Sequence, residues 1–529
     1  MNALRSNNTV PQPHAPHARR GFPNASQSNN TILRALCLLL TGVLLLTSCM
    51  GGEPQEDLRE ATETTTEFQQ PTGAIAVPYT KLDALNPFFM ESLVNASLVS
   101  LLYDPLFTLD GGFMPQPLIA KDFTLNGAAL DVRLRDSTVF SDGSPLSAAD
   151  VIYSFEKAKD APLYRESLKN FTACAEQSSA AVQFTLGSPD VNAVNLLTFP
   201  IVKAGTAEAP ETPPIGAGRY FYQVEDGRPL LRCNLRYGAA SPMIGSVRLR
   251  EVTESATLMH VLNVGGIDCF YTDLSDGVAK RSYAGSNEVY LNELVFLGVN
   301  HFGAYLKNAE FRRALSLALS RSAIVGNAFV NHARAAFTPF NTSWEVLSAY
   351  QTAESPDGDP NGADALLGKL GAGMGRNEVF LRLLVNEEAD AFLKSAANLI
   401  VEELSYVNIT VELTVKPAAE YRAALQSGDF DLYLGDIRLT KNMDLSPFFT
   451  PDGAASWGID LDGSDLPALW ADYQSGAKEL DVFLNRFNEL MPFIPLVYRN
   501  GQFCYSRVIR SAIQSTEDRL YYNIEEWLV

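Results

Sequence analysis

The chain has 529 residues, of which 46% are hydrophobic, 10% aromatic and 19% charged, the profile of a folded soluble protein rather than a disordered or membrane-embedded one. Its 61 acidic residues outnumber 41 basic ones, a formal charge of −20, which argues against nucleic acid as a partner because phosphate binding needs a basic face. A chain of this length exceeds what one hydrophobic core can serve, so at least two lobes are expected.

The amino-terminal stretch reads first. Residues 1–48 carry Arg5, Arg19, Arg20 and Arg34 and no acid, and the apolar run Ala35 to Leu46 leads into Thr47-Ser48-Cys49. That run has 12 residues, well short of the ~20 a helix needs to cross a bilayer, so a basic leader and a short apolar core predict an export signal. The pattern resembles the lipobox of bacterial lipoproteins. The resemblance implies that Cys49 is lipidated, becomes the mature amino terminus and holds the exported chain at the membrane by lipid alone. Removing the four leader arginines leaves 37 basic against 61 acidic residues, a net charge of −24, which disfavours broad docking on anionic lipid. Residues 49–73, rich in Glu, Thr and Gly with six acids against Arg59, predict a flexible acidic tether. No later apolar run approaches membrane length. Cys174, Cys233, Cys269 and Cys504 are scattered, without a CxxC pair or metal spacing, and are compatible with one or two disulfides or with four isolated thiols.

From Ala74 onward strands and helices alternate, which predicts an α/β, mixed α+β class. Ala74–Val77, Leu130–Leu134 and Val182–Leu186 read as strands. Ser147 to Lys159 reads as a helix capped by Ser147, with Asp150 in its first turn near the positive helix end. Val379–Val385, a helix from about Asp390 to Leu404, Asn408–Val415 and Phe430–Leu434 form a strand–helix–strand series that predicts a parallel sheet. Arg312, Arg313 and Arg321 punctuate the apolar helix Phe311 to Val325 and are expected on a solvated or salt-bridged face.

Seven segments then stand in order: Leu85-Asn-Pro-Phe88; Leu102-Tyr-Asp-Pro-Leu-Phe107; Pro115-Gln-Pro-Leu-Ile-Ala120; Val139-Phe-Ser-Asp-Gly-Ser-Pro-Leu-Ser-Ala-Ala-Asp-Val151; Ile215-Gly-Ala-Gly-Arg-Tyr220; Gly265-Gly-Ile-Asp268; and Phe311-Arg-Arg-Ala-Leu-Ser-Leu-Ala-Leu-Ser-Arg321. Each has a local reading; Ser141-Asp-Gly-Ser-Pro, for example, is turn chemistry leading into the Ser147 helix. Together they resemble the extracellular solute-binding protein family 5, the receptors of peptide, nickel and related ABC importers, across residues 74–529. The resemblance implies a two-lobed periplasmic-binding-protein-like fold with an extended large lobe and a ligand cleft between lobes. The large lobe would comprise about 74–295 plus 495–529 and the small lobe about 300–490, with chain crossings near Leu294–Asn300 and Met491–Val497. It also implies a monomer that meets permease and ATPase subunits at the membrane, outside the cytoplasm.

In peptide-binding members the strand matched here by the stretch Phe430 to Asp444 carries a Trp and an Asp, and the Asp meets the ligand's amino terminus. This chain has Asp436 near the Trp position and Arg438 between the two, so Asp436, Arg438 and Asp444 are candidate ligand contacts. Arg438 favours an anionic group over an ammonium. At the earlier strand end, where some members place a carboxylate-binding residue, stand Asn386 and Glu388. Phe88, Tyr103, Phe302, Trp344 and Trp457 complete the candidate site as aromatic cleft residues. The segment 49–529 holds three histidines, His260, His301 and His332, and no HExxH helix, Gly-x-Ser-x-Gly elbow or complete dinucleotide loop, so catalysis, cofactor and metal are not expected. Paired acids such as Glu402-Glu403 read as helix solvation. The expected function is capture of peptides or a related small solute for import. The alternatives are a nickel chelate or oligosaccharide as cargo, or a surface adhesin or chaperone-like lipoprotein.

Overall fold

The computed structural model describes residues 71–238, 243–350 and 357–529. The leader, Cys49 and nearly all of the tether lie outside the described residues. Four sheets account for the strands. One orders β1 (Gly73–Tyr79), β10 (Ile244–Glu251), β9 (Arg228–Cys233) and β8 (Tyr220–Glu225), with β1 and β10 parallel. Another orders β4 (Ala120–Asn126), β5 (Ala129–Leu134), β7 (Ala181–Leu186) and β6 (Phe171–Ser178), all antiparallel. β2 (Phe107–Leu109) and β3 (Pro115–Pro117) form a small hairpin. The largest sheet orders β11 (Cys269–Thr272), β17 (Phe493–Tyr505), β12 (Gly285–Val299), β16 (Leu432–Arg438), β14 (Val379–Asn386) and β15 (Ile409–Lys416), with β13 (Ala333–Ala335) beside β17. Within it β14 pairs in parallel with both β15 and β16, because the intervening helix Ala391–Ser405 is a crossover connection.

Two large hydrophobic cores result. One gathers Ile75, Phe107, Phe155, Phe184 and Tyr220 with Phe503, Tyr521 and Trp527 from the returning tail. The other gathers Phe296, Phe311, Trp344, Leu383, Ile400, Phe448 and Phe493. β12 and β17 belong to both. Val289 and Leu291 of β12 enter the first core and Leu294 to Leu297 the second; Phe503 of β17 enters the first and Phe493 to Tyr498 the second. Between those halves the β12–β17 register shifts from Tyr290↔Asn500 to Leu294↔Tyr498, a bulge that bends the pair where one core hands over to the other.

The motifs acquire local reasons. Ser147 caps the helix Ala148–Ala158 in a capping box with Asp150, whose Oδ2 accepts the Ser147 N–H at 2.9 Å, so the Ser141–Val151 block builds a corner. Lys203 and Ser144 donate to Asp142 and hold its carboxyl down at about 2. A Cβ at Gly218 would sit 2.5 Å from the Leu102 carbonyl oxygen, so the Gly-Ala-Gly run is small because two backbones touch. The four described cysteines are free thiols.

Arg312 and Arg321 correct the sequence expectation, while Arg313 is exposed as expected. The helix runs Ala309–Ala318, and Arg312 and Arg321 are 5% and 2% exposed. Arg312 donates to Leu306, Leu490 and Met491 carbonyls, and Arg321 to those of Ser316, Leu319 and Pro495. Helical periodicity ends at Ala318, and the guanidinium groups satisfy carbonyls left open where helix and strand terminate. Glu403 departs similarly: 9% exposed, it accepts the Ser320 N–H at 2.8 Å.

Candidate functional site between the two cores

Alternation along β16 puts Asp436 and Arg438 on one face, and the antiparallel partner β12 places Glu293 opposite Arg438. Arg499, 3% exposed, reaches into this face from β17. Its Nη1 lies 2.8 Å from Asp390 and 3.5 Å from both Glu293 and Asp436, and its Nη2 donates to the Leu274 carbonyl at 3.0 Å. Asp390 also caps the helix Ala391–Ser405, accepting from Phe392 and Leu393 N–H groups. Arg438 stands 3.5 Å from Glu293 and 3.6 Å from Glu517. Burial raises the Asp436 carboxyl, and Arg499 only partly offsets it. Burial pulls the Arg438 guanidinium down, but Glu517 and Glu293 outweigh it and hold it above its ordinary value. The side chains of Asp436 and Arg438 remain 42% and 45% exposed, so solvent or a solute can reach them. They pair with other residues, not with each other.

Next to this cluster lies a narrow pocket, partly open to solvent, lined by Leu109, Phe113, Tyr290, Lys441, Glu517 and Asp518 among others. Glu517 joins pocket and cluster: it accepts the Asn292 N–H at 3.2 Å and faces Arg438. Lys441 extends from the end of β16 to Thr198 Oγ1 at 2.9 Å and to the buried Asp518. A second narrow pocket, with Tyr103, Asp104, Thr198, Asp518 and Arg519 in its wall, lies beyond Asp518. Tyr103 is 1% exposed with an unpartnered hydroxyl.

The two cores also meet along a polar seam. Asn442 Nδ2 donates to Asp190 at 2.7 Å, Val191 N–H to the Gln474 carbonyl at 2.8 Å, and Asn195 Nδ2 to the Lys441 carbonyl at 3.2 Å. Burial, with the nearby Asp444, pushes the Asp190 carboxyl up to about 6 against the Asn442 and Asn192 donors. A carboxyl raised in the folded state contributes stability that is full below its unfolded value of about 3.9 and is lost as pH rises through 6. The urea midpoint is therefore expected to fall between pH 4 and 6 by an amount worth on the order of 2 kcal/mol from this group, and Asp190→Asn should flatten that slope. An unchanged slope in the variant would assign the pH dependence elsewhere.

The other sequence candidates fall in several places. Asn386 ends β14 and accepts the Glu388 N–H, closing a turn that leaves Glu388 exposed. Asp444 accepts from Ser446, Trp470 and Gln474 and serves local structure. Phe88 and Trp344 are packed inside the first and second cores. Phe302 is 74% exposed, and Trp457 leans on the second core with Nε1 bonded to the Ala454 carbonyl. Arg499, Lys441, Glu517 and Asp190 were not singled out from sequence. The available signal was a lone cation, Arg499, inside the buried run Phe493 to Cys504.

Two cores joined by a shared strand pair, with charged groups and pockets where they meet, define a two-lobed solute-binding protein. Residues 114–457 match the family described as bacterial extracellular solute-binding proteins, family 5 Middle, and the chain belongs to that family. It is 22% identical over 549 aligned residues to the oligopeptide-binding protein AppA of Bacillus subtilis, covering 94% of this chain and 98% of that protein. It is 23% identical to the glutathione-binding protein GsiB of Salmonella typhi, covering 71% of this chain and 77% of that protein. Its fold matches an ABC transporter substrate-binding protein of Sinorhizobium meliloti with a TM-score of 0.70 at 18% identity, covering 86% of this chain and all of that one. Among the described residues no helix is long and apolar enough to cross a membrane.

Proposed function

We propose that this protein is the solute-binding receptor of an ABC importer, tethered outside the membrane through a lipidated Cys49, and that its cargo is peptides or a related small solute. The observation that carries this reading is the family match over residues 114–457, supported by the charged side chains of β12, β16 and β17 gathered where the two cores meet. Relatives named for oligopeptide and glutathione binding support the peptide class. On this reading the large lobe is about 74–295 plus 495–529, the small lobe about 300–490 and the tether 49–73, in a receptor that works as a monomer without turning its cargo over. Enclosure between lobes that close by a hinge gives the permease a state to recognise.

Native mass spectrometry of gently purified protein tests the cargo: a series of peptide masses is expected, and one discrete non-peptide mass overturns the peptide class. Asp436→Ala and Arg438→Ala are each expected to reduce ligand-induced thermal stabilisation. Asp436 is a reachable carboxylate and Arg438 orients Glu517 at the pocket wall. Unchanged stabilisation in both variants would put the site elsewhere.

A further inference from the structure

Arg499, Arg438 and Lys441 are each within ion-pair distance of acids. Arg334 is different. It sits on β13 opposite Tyr498 of β17, half-buried, and among the described residues no carboxylate lies within 4 Å of it. Its guanidinium carbon lies 3.9 Å from the centroid of the Tyr290 ring. Nη2 donates to Asn341 Oδ1 at 2.8 Å and Nε to Asn500 Oδ1 at 3.4 Å. Those two amides and the ring fix the plane of the guanidinium, and Nη1 keeps its donors for another partner. Tyr290 is 41% exposed and forms part of the wall of the pocket beside Glu517, so the held cation packs against a ring that faces that pocket.

A partly desolvated cation bonded only to neutral oxygens gains more from an incoming anion than one already paired. Burial accordingly lowers the Arg334 guanidinium to about 10, with Tyr290 and Tyr498 opposing. We infer that Arg334, held flat by Tyr290, Asn341 and Asn500, is the recognition residue for an anionic group of the solute, of the carboxylate class. The neighbouring Glu288–His332 pair, 2.9 Å apart on the same strands, is closed on itself and leaves the anion to Arg334. This deepens the import-receptor reading and rests on it for the source of the carboxylate.

The test compares thermal stabilisation of the exported protein by a pool of synthetic tri- to nonapeptides with free carboxyl ends, by the same pool amidated, and by inorganic phosphate at constant ionic strength. The free pool is expected to bind about tenfold more tightly than the amidated one, as one charge-assisted contact provides. Arg334→Gln should abolish the preference and Arg334→Lys should restore part of it, a pattern that loss of packing alone would not produce. Equal preference in wild type and Arg334→Gln overturns the inference and leaves the receptor reading intact. If neither pool stabilises the wild type, the peptide reading fails and phosphate alone decides. Stabilisation lost in Arg334→Gln then supports an anion site, and none, or the same in both, overturns it.

Discussion

Replacing Arg499 with methionine is expected to destabilise the protein by about 3–5 kcal/mol, the range for breaking a buried charge network from one side. Methionine keeps much of the volume but removes the only cation among the described residues within 4 Å of Asp390, whose side chain is 8% exposed. Its carboxylate also accepts the Phe392 and Leu393 N–H groups at the helix cap, so it is held in place beside the vacated position. Glu293 and Asp436 lose a neighbour at the same moment, so carboxylates gather with Arg438 alone to balance them. The double variant Arg499→Met/Asp390→Asn should recover part of the loss, since it discards one orphaned charge while an amide oxygen still caps the helix. Urea denaturation of the single and double variants measures both. A loss under about 1 kcal/mol in Arg499→Met would mean that water, not Arg499, neutralises the cluster.

Arg321→Met is expected to cost a similar amount, about 3–5 kcal/mol, for a different reason. Arg321 has no ion pair within 4 Å among the described residues and works as a donor. It bonds Pro495 at 3.0 and 3.2 Å, Leu319 at 3.0 Å, Ser316 Oγ at 2.7 Å and the Ser316 carbonyl. Methionine would leave those buried carbonyls without donors, at roughly 1–3 kcal/mol each before relaxation. Because Pro495 lies on β17, the damage reaches the strand pair that joins the two cores. Arg321→Lys should rescue little, since a single ammonium cannot span acceptors spread around a planar fork. A midpoint near wild type in Arg321→Met would return the residue to the solvated face that its sequence neighbours suggest.

How far the sequence reading reached depends on the range of the forces involved. Asp390 as the start of a helix, Ser147 as a cap and the parallel series β14, β15 and β16 follow from periodicity and capping, which act over a few residues. Arg312 and Arg321 misled because charge in sequence is read as exposure, whereas carbonyl ends from Leu490 to Pro495, far along the chain, were waiting for donors. Asp436 and Arg438 were found because a motif points at that strand, but their partners Arg499 and Glu517 come from the tail and carry no local signature. Phe88 and Trp344 show the reverse case: an aromatic ring near a motif looks the same in sequence whether it faces a cleft or a core.

The sequence by itself determined the alternating strand–helix class, the acidic balance that turns away nucleic acid, and the ordered motifs of the family, since propensity, charge and turn chemistry are written in neighbouring residues. Only the tertiary structure decided which charges meet. Arg334 without a carboxylate, Arg499 among three, and Lys441 reaching Asp518 are outcomes of β12, β17 and the returning tail crossing between two cores. Electrostatic pairing depends on distance in space, and residues hundreds of positions apart become neighbours only when the sheet that carries them has formed.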